Sequence, residues 1–410
     1  MTFAVGVVLF AVGIAISVAL HECGHMWAAQ ATGMKVRRYF VGFGPKIFSY
    51  RRGETEYGLK ALPLGGFCDI AGMTALDELE PDEVDRAMYK QKTWKRIFVM
   101  IAGIAMNFLL GFVLIVLTAV AWGLPDLRSI PDTQLGQLAC VAPPNADGAP
   151  GACTGDGPAQ RAGLRSGDIV TAVGGVPVDT WEKFVYETQK QTGPFTYRVT
   201  RDGKPLEVTV TPERVQRTVV GKDGKAAHNA DGSVKKAEVS AIGAARYFPP
   251  DRQYGFLAAI PASATFTGEL LQRTAESLLH IPSKVGALWT AVTGGARDAD
   301  TPISVVGASR IGGETAERGL WNQFVLLLAS LNFFLGAFNL LPLLPLDGGH
   351  MAVAWFEKLR NLLRRRQGLP EAAPVDYLKL MPVTYVAVVI GGLFMLLTLT
   401  ADIINPIRLY

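Results

Sequence analysis

The stretch FAVGVVLFAVGIAISVALHECGHMWAAQ, residues 3–30, decides the fold. From Phe3 to Leu20 it carries no charge, and it then places His21, Glu22 and His25 within five residues. A helix of ~20 apolar residues crosses the ~30 Å hydrocarbon core of a bilayer. Three more runs read the same way, at 97–124, 323–346 and 383–401. A cleaved signal peptide would show a basic n-region and a small-residue cleavage pattern, and the first run has neither. Composition agrees. The chain has 410 residues, 49% hydrophobic and 19% charged, where an average soluble domain has ~25% charged. A net charge of +4 implies no nucleic-acid partner.

Basic residues near the ends of spans orient a membrane protein. Lys35, Arg37, Arg38, Lys90, Lys92, Lys95 and Arg96 lie between the first and second runs. Lys358, Arg360, Arg364, Arg365, Arg366 and Lys379 lie between the third and fourth, while Arg128 alone follows the second. Both short loops are therefore expected in the cytoplasm. Both termini and the long stretch 125–320 are expected outside, around a plasma membrane. Cys140 and Cys153 then fall where disulfides persist. Around a small Pro/Gly/Asn loop they read either as a bridge or as two free thiols.

Residues 35–67 read as strands, with turns at Gly42-Phe43-Gly44-Pro45 and Arg52-Gly53-Glu54. Residues 74–89 are acidic and read as a solvated helix. The outer stretch 126–213 reads as strand, short helix and a hairpin turning at Asp202-Gly203. Residues 218–245 are polar and read as an exposed loop. The spacing over 255–300 predicts an amphipathic helix on the membrane surface.

Ionisable groups at the end of a span are costly, ~2.5–3.5 kcal/mol for a central acid even on mild insertion scales. On a helix, His21 and His25 project from one face. With Glu22 they form H-E-x-x-H, the pattern of two zinc ligands and a general base. A catalytic zinc takes a third protein ligand and keeps one open position. Near the inner end of the third run stands NLLPLLPLDGGH, residues 339–350, where Asp347 is the only acid between Glu317 and Glu357. Pro342 and Pro345 stop a helix, and broken backbone at membrane depth survives only in protein or beside a wet cavity. Asp347 is expected to be the third ligand rather than only a helix cap. Asn107 is an amide inside the second run, expected to hold that span against its neighbours, with contact to substrate as the alternative. His350 is expected to be an ordinary interfacial histidine.

These pieces resemble the site-2 proteases, intramembrane zinc metalloproteases, in their bacterial RseP-like group. The resemblance rests on HECGH, VGFGP, YGLKALPLGGF, AGIAMNF and NLLPLLPLDGG, together with GPAQRAGLRSGDIVTAVGGVPV, a PDZ-like segment. It covers nearly the whole chain. A single PDZ-like repeat is similar to the actinobacterial and mycobacterial members, where the founding member carries two in tandem.

The resemblance implies a polytopic α-helical membrane protein with four transmembrane helices, a membrane-associated β-sheet on the cytoplasmic side and an extracytoplasmic PDZ-like domain. The expected division is transmembrane helix 1 at 1–30, a cytoplasmic region with re-entrant sheet at 31–96 and transmembrane helix 2 at 97–124. The PDZ-like domain follows at 125–215 and a post-PDZ region with an amphipathic helix at 216–320. Transmembrane helix 3 takes 321–350, a cytoplasmic helix 351–381 and transmembrane helix 4 382–410. The implied activity is an endopeptidase holding Zn2+ by His21, His25 and Asp347, with Glu22 as the base. Implied substrates are single-span membrane proteins such as anti-sigma factors, cut within the bilayer in regulated intramembrane proteolysis. Membrane lipid and a peptide or protein at the PDZ-like domain are further implied partners. Gly42, Phe43, Gly44, Tyr57 and Leu59 are implied to meet the substrate, which would add as a strand to a sheet edge. Asn339 is implied as an oxyanion donor or a substrate clamp, with helix capping an equal alternative. A non-proteolytic, PDZ-bearing membrane scaffold is the alternative function, opposed by the full His21, Glu22, His25 and Asp347 set.

Overall fold

Backbone in hydrocarbon must find its hydrogen bonds within its own segment, so the apolar runs form helices. The computed structural model describes residues 2–126, 131–142, 152–221, 235–295 and 300–407, together with residues 227, 229 and 297. The chain opens with α1 (Thr2–Ala31), β1 (Val36–Arg52), β2 (Thr55–Ile70) and α2 (Thr93–Ala121). Next come β3 (Leu135–Leu138), α3 (Pro158–Arg161), β4 (Ile169–Val173), β5 (Val176–Pro177), α4 (Trp181–Gln189), β6 (Phe195–Arg201) and β7 (Lys204–Val210). They are followed by β8 (Glu213–Thr218), β9 (Lys236–Ala241) and β10 (Ala244–Arg246). The chain closes with α5 (Phe256–Val292), α6 (Val305–Glu317), α7 (Trp321–Asn339), α8 (Asp347–Arg366) and α9 (Tyr377–Ile404). Among the described residues, α1, α2, α7 and α9 are long and apolar enough to cross a membrane. The chain divides into two compact units, Met1–Leu124 with Arg252–Tyr410, and Pro125–Asp251.

In the first unit, α1 packs on α2 and α6, and α2 packs on α7. Polar side chains tie the helices where water cannot: buried Asn332 of α7 donates to Ser17 Oγ of α1 at 3.0 Å. Arg96 at the start of α2 meets Glu357 of α8 at 2.5 Å, both buried. Arg297 meets Asp402 of α9 at 2.7 Å, and Asp402 also accepts from the Ser304 backbone at the start of α6. The third span differs from its expected end at 346. Helix α7 stops at Asn339, short of Pro342 and Pro345, which cannot donate to a helix. The fourth starts earlier than 383, at Tyr377, where the Asp376 carboxylate accepts from the Leu378 backbone.

The strands of the first unit reverse where expected. Val41 pairs with Gly66 on one side and Leu59 on the other, and Tyr57 pairs with both Tyr39 and Tyr50. The spatial order is therefore 46–52, 55–60, 36–41, 66–70. The glycines of the first turn, Gly42 and Gly44, adopt φ of 91° and 79°, open to them without strain. Residues 74–89 do not form the expected helix. They are turns ending in a short 3-10 segment, Met88–Lys90. Some of their acids make side-chain bonds instead: Glu83 and Asp77 both receive Arg37 of β1.

In the second unit, a four-stranded sheet in the order β5-β4-β6-β7 packs on α4. Tyr197, Val170, Val173, Val199 and Phe184 form its buried centre. Strands β6 and β7 meet at Asp202-Gly203, both with positive φ, the expected two-residue hairpin. Cys140 and Cys153 are joined by a disulfide with Cα atoms 5.9 Å apart. The stretch 218–245 is not all loop. Strand β9 pairs with β8, burying Val239 beside Val215, and β10 pairs with β3.

Candidate metal centre

Helix α1 runs long enough to set His21 and His25 one turn apart near its end, both buried. Asp347 reaches them from the first residue of α8. Its delivery depends on the loop 340–346, which ends α7 and includes a cis Leu344–Pro345 peptide. A Cβ on Gly348 would lie 2.4 Å from the carbonyl oxygens of Leu340 and Leu341, and one on Gly349 would lie 2.6 Å from Leu344 N. Two glycines without side chains are thus what let α8 start pressed against the loop.

The result is a triangle. His21 Nε2 and His25 Nε2 are 3.1 Å apart. Asp347 Oδ2 lies 3.1 Å from the first and 3.3 Å from the second. Ligands at ~2.0–2.1 Å around one tetrahedral zinc are separated by about 3.3 Å, so these three atoms could hold one ion. Asp347 Oδ2 is buried without a hydrogen-bond partner among the described residues. His25 Nδ1 is 2.8 Å from the Val99 carbonyl. A carbonyl only accepts, so Nδ1 carries the proton and Nε2 presents a lone pair. An anionic oxygen and imidazole lone pairs converging at this distance suit a cation. The donor set fits zinc, which takes imidazole and carboxylate.

Glu22 flanks the triangle, within electrostatic reach of His25, His21 and Asp347 and close to the Cys68 backbone. A Cβ at Gly66 would sit 3.3 Å from its Cγ. Segment 66–70, paired on one side only, therefore runs past Glu22 at Gly66. Burial pushes the Cys68 thiol well above its usual range, so it stays protonated.

The remaining expected residues are placed as follows. Tyr57 and Leu59 lie on an inner segment paired on both sides, which corrects the expectation of a free strand edge there. The edge next to Glu22 belongs to residues 66–70. Phe43, half-exposed, stacks on Phe67 at 6.2 Å in the turn flanked by Gly42 and Gly44. Asn339 ends α7, half-buried. His350 is stacked on Tyr377 with Nδ1 3.3 Å from its hydroxyl.

Helix α2 supplies parts that sequence reasoning did not find. The Val99 carbonyl is backbone, and no residue type announces it. Gly103 is another: a Cβ there would lie 2.3 Å from His25 Nε2. Asn107 was legible as a polar residue in an apolar run, but its contact, 3.1 Å to His21 Nδ1, was not.

Residues 9–381 match the model of peptidase family M50. The chain is 53% identical to zinc metalloprotease Rip1 of Mycobacterium tuberculosis H37Rv over 412 residues, the full length of both. It is 51% identical to zinc metalloprotease Rip1 of Mycolicibacterium smegmatis, again over 100% of both chains. It is 25% identical to the regulator of sigma-W protease RasP of Bacillus subtilis, over 87% of this chain and 90% of that one. With a family match across most of its length and relatives this close, the chain belongs to peptidase family M50, the site-2 protease family of zinc metalloendopeptidases.

Proposed function

We propose that this chain cleaves single-span membrane proteins within the bilayer, with His21, His25 and Asp347 holding the zinc and Glu22 acting as general base. The observation that carries this reading is the convergence of three ligand atoms, 3.1–3.3 Å apart, from the ends of two otherwise apolar segments. Bound zinc would supply Lewis-acid polarisation of the scissile carbonyl and acidify a water. Glu22 takes the proton of the attacking water and delivers it to the leaving amine nitrogen. The position of Glu22 supports this, since it lies next to His21 in the chain and within electrostatic reach of both histidines.

A substrate helix hides its amides in its own hydrogen bonds, so it must unwind before its carbonyl can react. The outer edge of 66–70 beside Glu22 is the natural place for an extended substrate to add as a strand. Phe43 and the glycines around it form an apolar turn that the substrate would pass. Asn339, at the broken end of α7, is the proposed clamp on the unwound backbone.

The basic residues between spans support cytoplasmic short loops and extracytoplasmic termini. The Pro125–Asp251 unit then lies outside, where its Cys140–Cys153 disulfide is chemically at home. Its sheet, α4 and GPAQRAGLRSGD segment support a PDZ-like domain that binds a peptide or screens bulky substrates. Anti-sigma factors already trimmed outside are the proposed substrate class.

The test is cleavage of such a tagged substrate in liposomes, with bound zinc measured in parallel. Wild type should cut. Glu22→Ala should keep zinc and lose at least ~10²-fold in rate, the lower range for a lost general base. Asp347→Ala should lose both. If neither wild type nor Glu22→Ala cuts and no zinc is bound, the site reading fails and the chain is a membrane scaffold instead.

A further inference from the structure

Each histidine of the triangle has a second nitrogen, and both second nitrogens face α2. For His25 the partner is the Val99 carbonyl, which leaves no choice of tautomer. For His21 it is the side-chain amide of Asn107, which is 2% exposed. Residues 99, 103 and 107 are spaced by four and share one face of the helix. Val99 accepts from one ring, Gly103 leaves room for it, and Asn107 meets the other.

The amide has two orientations, related by a half-turn that exchanges its oxygen and nitrogen. With Nδ2 toward His21 Nδ1, the ring nitrogen must accept. The imidazole proton then sits on Nε2, inside the triangle, where it blocks ligation. That orientation also leaves Asn107 Oδ1 buried without a partner among the described residues. With Oδ1 toward Nδ1, the ring donates, the oxygen is satisfied and Nε2 is free to ligate. One half-turn thus pairs the oxygen and sets the tautomer together, and carries the amide Nδ2 to the position the oxygen leaves.

We infer that Asn107 is a positioning residue whose Oδ1 accepts the Nδ1 proton of His21, fixing the tautomer that binds zinc. This rests on the proposed reading of His21 as a ligand. The expectation of a merely packing amide predicts something different: loss of stability without loss of metal preference.

The experiment uses the full-length, zinc-loaded protein in detergent. Zinc loss to a chromogenic chelator is followed for wild type, Asn107→Ala, Asn107→Asp and His21→Ala. Melting of each metal-free form controls for packing. Partners that orient metal ligands are worth ~10–100-fold in metal affinity. Asn107→Ala should therefore release zinc about 10–100-fold more readily. Asn107→Asp keeps an acceptor in the same place and should stay within a few fold of wild type. Nitrogen NMR of ring-labelled histidine should show His21 protonated at Nδ1 in wild type and Asn107→Asp. Should Asn107→Ala fail to fold, the Asn107→Asp protein and the wild-type spectrum still decide. The inference is overturned if Asn107→Ala holds zinc like wild type, if Asn107→Asp loses it as Asn107→Ala does, or if His21 Nδ1 carries no proton. If His21→Ala itself keeps zinc, the ligand reading fails, a result distinct from failure at Asn107 alone.

Discussion

At the scale of single residues, the centre depends on what is absent as much as on what is present. Gly103 makes no bond, yet it decides where the His25 ring can lie. A Cβ 2.3 Å from Nε2 is inside any van der Waals contact, and the ring is held from behind by Val99. Gly103→Ala should therefore push the imidazole out of the triangle. We expect at least a tenfold loss of zinc affinity with an overpacking cost of about 1–3 kcal/mol. Zinc titration and thermal melting check this; a variant that melts lower but binds zinc normally would show that the ring can step aside. What was legible here follows from chemistry. Histidines four apart beside a glutamate, and a lone aspartate after a Pro-broken span, announce themselves by residue type. A backbone acceptor and a glycine's empty volume have no such signature. Asn107 stands between: its oddness in an apolar run was visible, and its partner was not.

At the scale of elements, apolar runs were legible because the bilayer imposes length, and their ends were less so. Residues 74–89 were misread because acidic composition resembles a solvated helix. Here the acids are committed to Arg37 and Lys35 on the neighbouring strand. Glu83 is buried and takes Arg37 through both carboxylate oxygens, at 2.9 and 2.5 Å. The guanidinium holds its carboxyl down at about 2, from an ordinary 4.5. A depressed carboxyl stabilises the fold wherever it is ionised in both states. That contribution is complete above about 4.5 and is lost as pH falls through about 2. Glu83→Gln removes the linkage and should cost about 1–3 kcal/mol near neutral pH by leaving Arg37 underpaired. Hydrogen exchange over residues 35–90 should lose protection in wild type between pH 4.5 and pH 2. The variant should change much less over that window. An equal pH slope in both proteins would mean that Glu83 does not hold this layer.

At the scale of the whole molecule, every group in the triangle and every partner behind it belongs to the first unit. His21, His25, Val99, Asn107 and Asp347 all fall in Met1–Leu124 or Arg252–Tyr410. The second unit is inserted between Leu124 and Arg252, and those two residues are hydrogen-bonded to each other in both directions, at 3.0 and 2.9 Å. The ends of the excision are thus already adjacent, so a short Gly-rich turn can replace 125–251 without stretching the first unit. Loop closure of a few residues adds little entropy cost. We expect the excised protein to fold in detergent and to bind one zinc with the affinity of the full chain. Cleavage should then separate two roles for the unit. If it screens substrates, the excised protein should also cut membrane proteins with large outer domains. If it recruits them, cutting of the trimmed substrate should fall while zinc binding stays unchanged. Loss of zinc on excision would instead mean that the centre depends on the inserted unit, against its residue-by-residue construction from the first.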